Sequence, residues 1–351
     1  MLFIVLFFAI ILIHLQRIIP PFNTTVNIEQ NFTMIFKFEP IYQERVWGGQ
    51  MLNTKLHRVI PPNVKIGESW DIVDRDDINS TISKPFAKVS SLRNLIQQDP
   101  KNIMGPQWLP NQKFPILVKW LDCSERLSLQ VHPPEFVAKK LSGEPKTENW
   151  YIGHASDNAG LFVGLKKQTT IDNFRSAVKN GTAEKYCHRI KSDKGDSILI
   201  KSGRIHAIDA GNLILEIQQN SDTTYRVFDW DRNGLDGVPR QLHIEKSMEC
   251  IDFKDFEPSI LKTSSNSKIQ NLADCKEFRI RKFNLDNGQS IVLKNENMDC
   301  SIVHLISGEI KVGEEKLQLG EHGLSPFNQR CMIQALEDST FLVTDRFNKL
   351  S

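Results

Sequence analysis

Residues 114–134 read FPILVKWLDCSERLSLQVHPP, and the fold turns on them. The first part, Pro115–Trp120, is a short apolar run. The second, Leu127–His132, alternates apolar and polar residues. Side chains on a strand point to opposite faces in turn, so Leu127, Leu129 and Val131 share one face. Ser128, Gln130 and His132 share the other. Pro133 has no amide hydrogen and ends the strand, which leaves His132 at its mouth. A polar row of this kind is either the wet side of an edge strand or the lining of a barrel interior.

The pattern repeats downstream. Gly160–Val163, Asp196–Lys201, Gly211–Gln218 and Thr224–Asp229 are short runs bounded by Gly, Pro, Asn and Asp, as strands are. Phe278–Phe347 gives more of them, with turns at Asp286-Asn287-Gly288, Ser307-Gly308 and Gly320. Two stretches read as helix. One is Ser91–Gln98, in a loop-rich region running to Gly105. The other is Thr170–Arg189, where Thr170 can cap, Ile171, Phe174 and Val178 keep helical spacing, and Asn180-Gly181 breaks the run. Many short strands with Gly and Asn turns predict a mainly β protein, a sandwich, jelly roll or barrel, with a small helical insertion at about 170–189. The polar stretch Lys262–Lys268 (KTSSNSK) reads as a linker. The expected organisation is a jelly-roll or barrel unit over 34–258 and a second, smaller C-terminal β domain over 259–351.

Composition bounds the function. With 44 Lys and Arg against 42 Asp and Glu, the 351-residue chain carries a formal charge of +2, which excludes a strong global footprint for nucleic acid or anionic membrane. One phosphorylated small molecule needs only a local pair of cations. The six cysteines (Cys123, Cys187, Cys250, Cys275, Cys300, Cys331) form no C-x-x-C pair and read as reduced thiols.

The N-terminus differs from the rest. Leu2–Ile13 is uninterrupted apolar, too short to span a bilayer, which needs about 18–20 residues. It suits a signal-peptide core, yet no Lys or Arg precedes it and no small-residue cleavage site follows. Sequons occur at Asn23, Asn31, Asn79 and Asn180. Residues 1–33 are expected to be an extension outside the fold, so the expected location is cytoplasmic. A signal or membrane anchor at residues 2–19 is the alternative, followed by a buried hydrophobic element.

Several side chains could carry chemistry. His132 ends its strand. Glu148, in Lys146–Tyr151 (KTENWY), gains interest only if the chain reverses to bring it near His132. His206 follows a Ser202-Gly203 turn among apolar neighbours and reads equally well as a core histidine. In Asn212–Gln219 (NLILEIQQ), Glu216 shares a face with Ile214 and Gln218. If it is buried there, desolvation lifts its pKa toward the range of a general base. Arg226 falls on the face opposite Asp229 and Asp231, which argues against a local salt bridge. Two histidines, a carboxylate and an amide could hold zinc and leave a position for water or substrate, with the Gln130 amide the least usual ligand.

The ordered series VWGG (Val46–Gly49), GESWDI (Gly67–Ile72), Phe114–Pro134, KTENWY, Ser202–Arg232 and RQLHIEKS (Arg240–Ser247) resembles the type I mannose-6-phosphate isomerases in their shorter bacterial-like form. The likeness runs from about Met34 to Asp252. It implies a cupin-type jelly roll holding one Zn²⁺ per chain through Gln130, His132, Glu148 and His206. It implies Arg226 and Glu216 as catalytic groups, and Lys119, Ser128 and Lys146 as contacts to a small sugar phosphate, with a lysine at the phosphate. The implied reaction interconverts mannose 6-phosphate and fructose 6-phosphate through an enediol(ate). A non-catalytic sugar-phosphate-binding or regulatory cupin and a metal-dependent cupin oxygenase are the alternatives; against the oxygenase, the usual H-x-H pair is Q-x-H here. QVHPP replaces the commoner QVHPD or QVHPE and alters the loop beyond His132.

Overall fold

In the computed structural model, which describes residues 34–86, 89–293 and 299–347, the alternating runs become antiparallel strands. The first part of the chain carries β1 (Ile41–Gly49), β2 (Ile66–Ile72), β3 (Thr81–Phe86), β4 (Val89–Ser91), β5 (Ile116–Cys123), β6 (Leu129–Val131), β7 (Glu148–Ala155), β8 (Gly160–Leu165), β9 (Cys187–Lys191), β10 (Ser197–Ile200), β11 (His206–Ile208), β12 (Asn212–Gln219) and β13 (Tyr225–Phe228). A six-stranded sheet has the order β1-β2-β5-β12-β7-β10, and a five-stranded sheet has the order β13-β6-β11-β8-β9. These are the two layers of a cupin-type jelly roll. The C-terminal region adds β14 (Ile269–Asp274), β15 (Arg279–Leu285), β16 (Ser290–Leu293), β17 (Ser301–Ser307), β18 (Ile310–Val312), β19 (Glu315–Leu317), β20 (His322–Ser325), β21 (Cys331–Ala335) and β22 (Ser339–Asp345). They form a five-stranded and a four-stranded sheet.

Strand β5 shows why its sequence lacks clean alternation: every residue in it is buried. Ile116, Val118 and Trp120 pack in one core cluster, and Leu121 and Cys123 in another. The second cluster joins Leu121, Trp150, Ile152 and Ile214 of the six-stranded sheet to Leu161, Val163 and Ile208 of the five-stranded one. It fills the space between the two layers. Lys119 alternates with Val118 and Trp120 and so lies on the same side as Leu121. It is a charge inside the sandwich, 4% exposed.

Six short helices, α1 (Met51–Leu56), α2 (Leu92–Gln98), α3 (Pro100–Met104), α4 (Glu135–Lys140), α5 (Ile171–Lys179) and α6 (Ile244–Cys250), lie among the described residues. Ser91 caps α2 by accepting from the Asn94 amide, and Thr170 caps α5 by accepting from Asn173. The helical stretch expected to reach Arg189 is shorter. It stops at Lys179, Gly181 takes φ +65, Ala183–Tyr186 is a single 3₁₀ turn, and Cys187–Arg189 belong to β9. The buried Cys187 pairs with Leu165, so sheet pairing overrides helix propensity there.

The C-terminal sheets share a core with the jelly roll. Leu272, Phe278, Ile280, Ile302, Leu324, Leu342 and Phe347 belong to the same buried cluster as Ile72, Trp120 and Leu215. Ile35 packs among the C-terminal strands, and the Phe36 amide donates to Leu324 O at 2.9 Å. A buried polar chain crosses the same boundary. Arg58 grips Asp71 with two nitrogens (2.8 and 2.6 Å), His322 Nε2 lies 2.9 Å from Asp71, and His304 bridges His322 Nδ1 and Thr344 Oγ1. Lys262–Lys268 forms no helix or strand. The six cysteines are free. No helix among the described residues is long and apolar enough to cross a membrane, and the apolar run Leu2–Ile13, with the rest of 1–33, lies outside them.

Candidate active site

Strand register decides which polar side chains meet. In the five-stranded sheet Gln130 is paired with Arg226 on one side and His206 on the other, so three strands carry these residues in one row. In the six-stranded sheet Glu216 lies opposite Lys119 on β5 and Trp150 on β7, and Gln218 lies opposite Glu148. These rows face each other across the sandwich at one end.

Deepest are His132, Glu148 and His206, whose ligand atoms all fall within 4.8 Å of one another. His132 Nε2 is 3.4 Å and His206 Nε2 is 3.6 Å from the Glu148 carboxylate. All three are buried to within 1% of full exclusion. The chain reversal that joins Glu148 to His132 is made by α4 and the turn after it. Gly203, with φ +88, makes the turn that delivers His206.

The ring orientations are fixed by backbone carbonyls. His132 Nδ1 lies 2.9 Å from Thr223 O, and His206 Nδ1 lies 2.8 Å from Arg204 O. A carbonyl accepts only, so each Nδ1 carries the proton and each Nε2 presents a lone pair. Both Nε2 atoms are buried without a hydrogen-bond partner, as is Glu148 Oε1. Burial pushes His206 down to about 3, helped by the neighbouring His132. Burial and the Lys146 charge lower His132 as well. Burial alone would raise Glu148, but the Lys146 ammonium at 2.8 Å holds it well below the usual carboxylate range. Two neutral imidazoles and an ionised carboxylate converging on one point, with both Nε2 atoms and Glu148 Oε1 lacking a hydrogen-bond partner, fit a divalent cation. Nitrogen and carboxylate donors suit zinc, and Gln130 is paired with His206 on the neighbouring strand.

Beside this cluster opens a cavity of about 550 Å³ lined by Lys119, Ser128, Gln130, Lys146, Glu216 and Arg226, together with Glu68, Arg45 and Arg240. Every residue expected from sequence to contact substrate or do chemistry therefore lines it. Glu216 accepts from Trp150 Nε1 at 2.9 Å and has ammonium groups at 3.8 Å (Lys119) and 3.9 Å (Lys146). Burial and the Glu148 charge lift its carboxyl to about 7 against the pull of the two lysines. Arg226 donates to Gln241 O at 2.8 Å and makes no ion pair among the described residues, while its Nε is buried without a partner. Asp229 is taken instead by Arg232 and Arg240, as the opposite-face reading of Arg226 requires.

The sequence profile of the phosphomannose isomerase type I catalytic domain matches residues 35–175. The mannose-6-phosphate isomerase ManA of Bacillus subtilis (strain 168) is 33% identical over 303 residues, 83% of this chain and 92% of that one. The chain belongs to the type I phosphomannose isomerase family. The mannose-6-phosphate isomerase of Streptococcus mutans serotype c is 33% identical over 219 residues, covering 61% of this chain and 68% of its own. The crystal structure of the mannose 6-phosphate isomerase from Bacillus subtilis superposes with a TM-score of 0.78 at 28% identity, over 90% of this chain and 100% of the other.

Sequence reasoning missed Arg45, Glu68 and Arg240, which line this family member's cavity, and Trp150, which donates to Glu216 behind it. By sequence alone GESWDI carries the family likeness and no site role. Alternation along β2 puts Glu68 on the face of Trp70, away from Ser69 and Asp71, while its partners Arg45 and Lys119 stand on other strands.

Proposed function

We propose that the chain is a zinc-dependent aldose–ketose isomerase that interconverts mannose 6-phosphate and fructose 6-phosphate through an enediol(ate). The observation that carries this reading is the pair of orphaned Nε2 atoms facing Glu148, set beside a cavity that holds a carboxyl lifted to about 7. His132, Glu148 and His206, with Gln130, would hold the metal. When bound, the ion would supply a Lewis acid that polarises the sugar carbonyl and offsets negative charge on the C1 and C2 oxygens.

The chain's own residues do the rest. Glu216 takes the proton from C2 of the open-chain aldose and returns it to C1; a carboxyl near 7 accepts and releases a proton with comparable ease at neutral pH. Trp150 holds the Glu216 carboxylate in place through its indole N–H. Arg226, the cavity guanidinium with no carboxylate partner, is free to take an oxyanion of the substrate. Lys119, Ser128 and Lys146 contact the substrate along the wall and hold C1 and C2 in line. The sandwich walls exclude water from these charges.

The test assays the full chain for mannose 6-phosphate to fructose 6-phosphate conversion before chelation, after it, and with zinc restored. Loss and return of turnover are expected. A folded protein with zinc bound and no turnover would sink the proposal.

A further inference from the structure

Glu68 belongs to a motif, Gly67–Ile72, that the reaction described above leaves without a task. Its carboxylate reaches into the catalytic cavity and is ionised: Lys119, Arg45 and the Trp70 N–H outweigh burial and pull it down to about 2. Arg45 donates from Nε at 2.9 Å and from Nη2 at 3.3 Å, and Trp70 Nε1 donates at 2.6 Å. Glu68 is therefore rigidly held, by a guanidinium fork and an indole.

Lys119 is held differently. Its Nζ lies 3.6 Å from Glu68, 3.8 Å from Glu216 and 4.5 Å above the Trp70 ring. Register explains the arrangement, since Trp70 and Glu216 flank Lys119 directly on the two neighbouring strands. Among the described residues Lys119 donates no hydrogen bond. Two carboxylates and a π-face fix a buried ammonium by charge while its three N–H groups stay uncommitted. Two nearby carboxylates also make this corner a poor receptor for a phosphate dianion, so the donors suit a sugar hydroxyl or a developing oxyanion at the reacting carbons.

Resting on the isomerase reading, we propose that Glu68 is a positioning residue: with Trp70 it holds the Lys119 ammonium off Glu216, so that Lys119 keeps its hydrogens for a substrate oxygen and Glu216 stays free to accept a proton. Without the Glu68 charge, the attraction on Lys119 becomes one-sided. The ammonium closes the short gap to Glu216 and ties up donor and base together.

The experiment compares the parent, Glu68→Gln, Glu68→Asp, Lys119→Met and the double variant Glu68→Gln/Lys119→Met. In Glu68→Gln, kcat is expected to fall about 10- to 100-fold, as for an ångström-scale misplacement, with KM for mannose 6-phosphate within about threefold of the parent. Glu68→Asp keeps the charge and should recover part of the loss. The double variant should be no slower than Lys119→Met alone. A crystal structure of Glu68→Gln reads the same point without turnover: Lys119 Nζ should lie within hydrogen-bond distance of Glu216. Additive losses, an unchanged kcat, or Lys119 unmoved in the variant structure would overturn the proposal. An inactive parent would sink the isomerase reading, while the position of Lys119 would still decide the role of Glu68.

Discussion

Replacing Glu216 by Gln tests the proton-transfer step with little risk to the fold. The amide is isosteric and still accepts from Trp150 Nε1. The two ammonium groups near Glu216 each keep another carboxylate, Lys119 with Glu68 at 3.6 Å and Lys146 with Glu148 at 2.8 Å. Loss of a general base costs about 10²- to 10⁴-fold in kcat, or roughly 3–5 kcal/mol of barrier. KM should not rise, because a negative charge leaves a cavity that must accept an anion. Stability should move the other way. Glu216 titrates near 7 in the folded chain, against 4.5 ordinarily. A carboxyl raised on folding contributes fully below its unfolded pKa, and that contribution is lost as pH rises through 7. At pH 8 the ionised side chain is therefore a cost, and Glu216→Gln in chelated protein should melt higher than the parent at pH 8 but not at pH 4.5. Steady-state kinetics and thermal melts at the two pH values measure both effects. A kcat within threefold of the parent, with zinc retained, would remove Glu216 from proton transfer. A lower melting temperature at pH 8 would refute the electrostatic account of the site.

Two other perturbations have clear outcomes. His206→Ala removes one of three converging donors, so elemental analysis should find zinc lost together with activity; normal zinc content would discard the ligand assignment. Asp71→Ala leaves Arg58 buried without its bidentate partner, and urea unfolding should show a loss of about 3–5 kcal/mol. Because Arg58 and His322 hold the Asp71 carboxyl far below 3.8, that contribution is complete above pH 4 and fades only as pH falls below it. A variant as stable as the parent at pH 7 would show that this network does not join the C-terminal sheets to the jelly roll.

The legible parts of the fold are those where one face is wet or chemically marked. Alternation along residues 127–132 and 212–219 put Gln130 with His132, and Glu216 with Gln218, on shared faces, but a strand period of two does not say which face turns inward; that took the packing of the two sheets. The short helices α1, α3, α4 and α6 went unread. Five to seven residues hold less than two turns, too few for a hydrophobic stripe, and tertiary packing decides them. Glu68 was hidden for a different reason. Its partners Arg45 and Lys119 come from separate strands 23 and 51 positions away, so their meeting depends on register between strands and not on any local spacing. The same limit applies to Ile35 and Phe36. They open the described chain yet pack among C-terminal strands, a contact that no linker composition could announce.

The charge inventory of the cavity argues for why metal and substrate belong together. Lys119, Lys146 and Arg45 face Glu68, Glu148 and Glu216, three cations against three carboxylates in a water-poor space. This paired set is neutral with Glu216 ionised, and the Arg226 guanidinium in the same lining adds one positive charge. A divalent cation alone would add two positive charges there, and a sugar phosphate dianion alone two negative ones; either shift is costly at low dielectric. Together they cancel. The orphaned Nε2 pair, the unpaired guanidinium of Arg226 and this balance are thus three aspects of one arrangement, in which each component makes room electrostatically for the other.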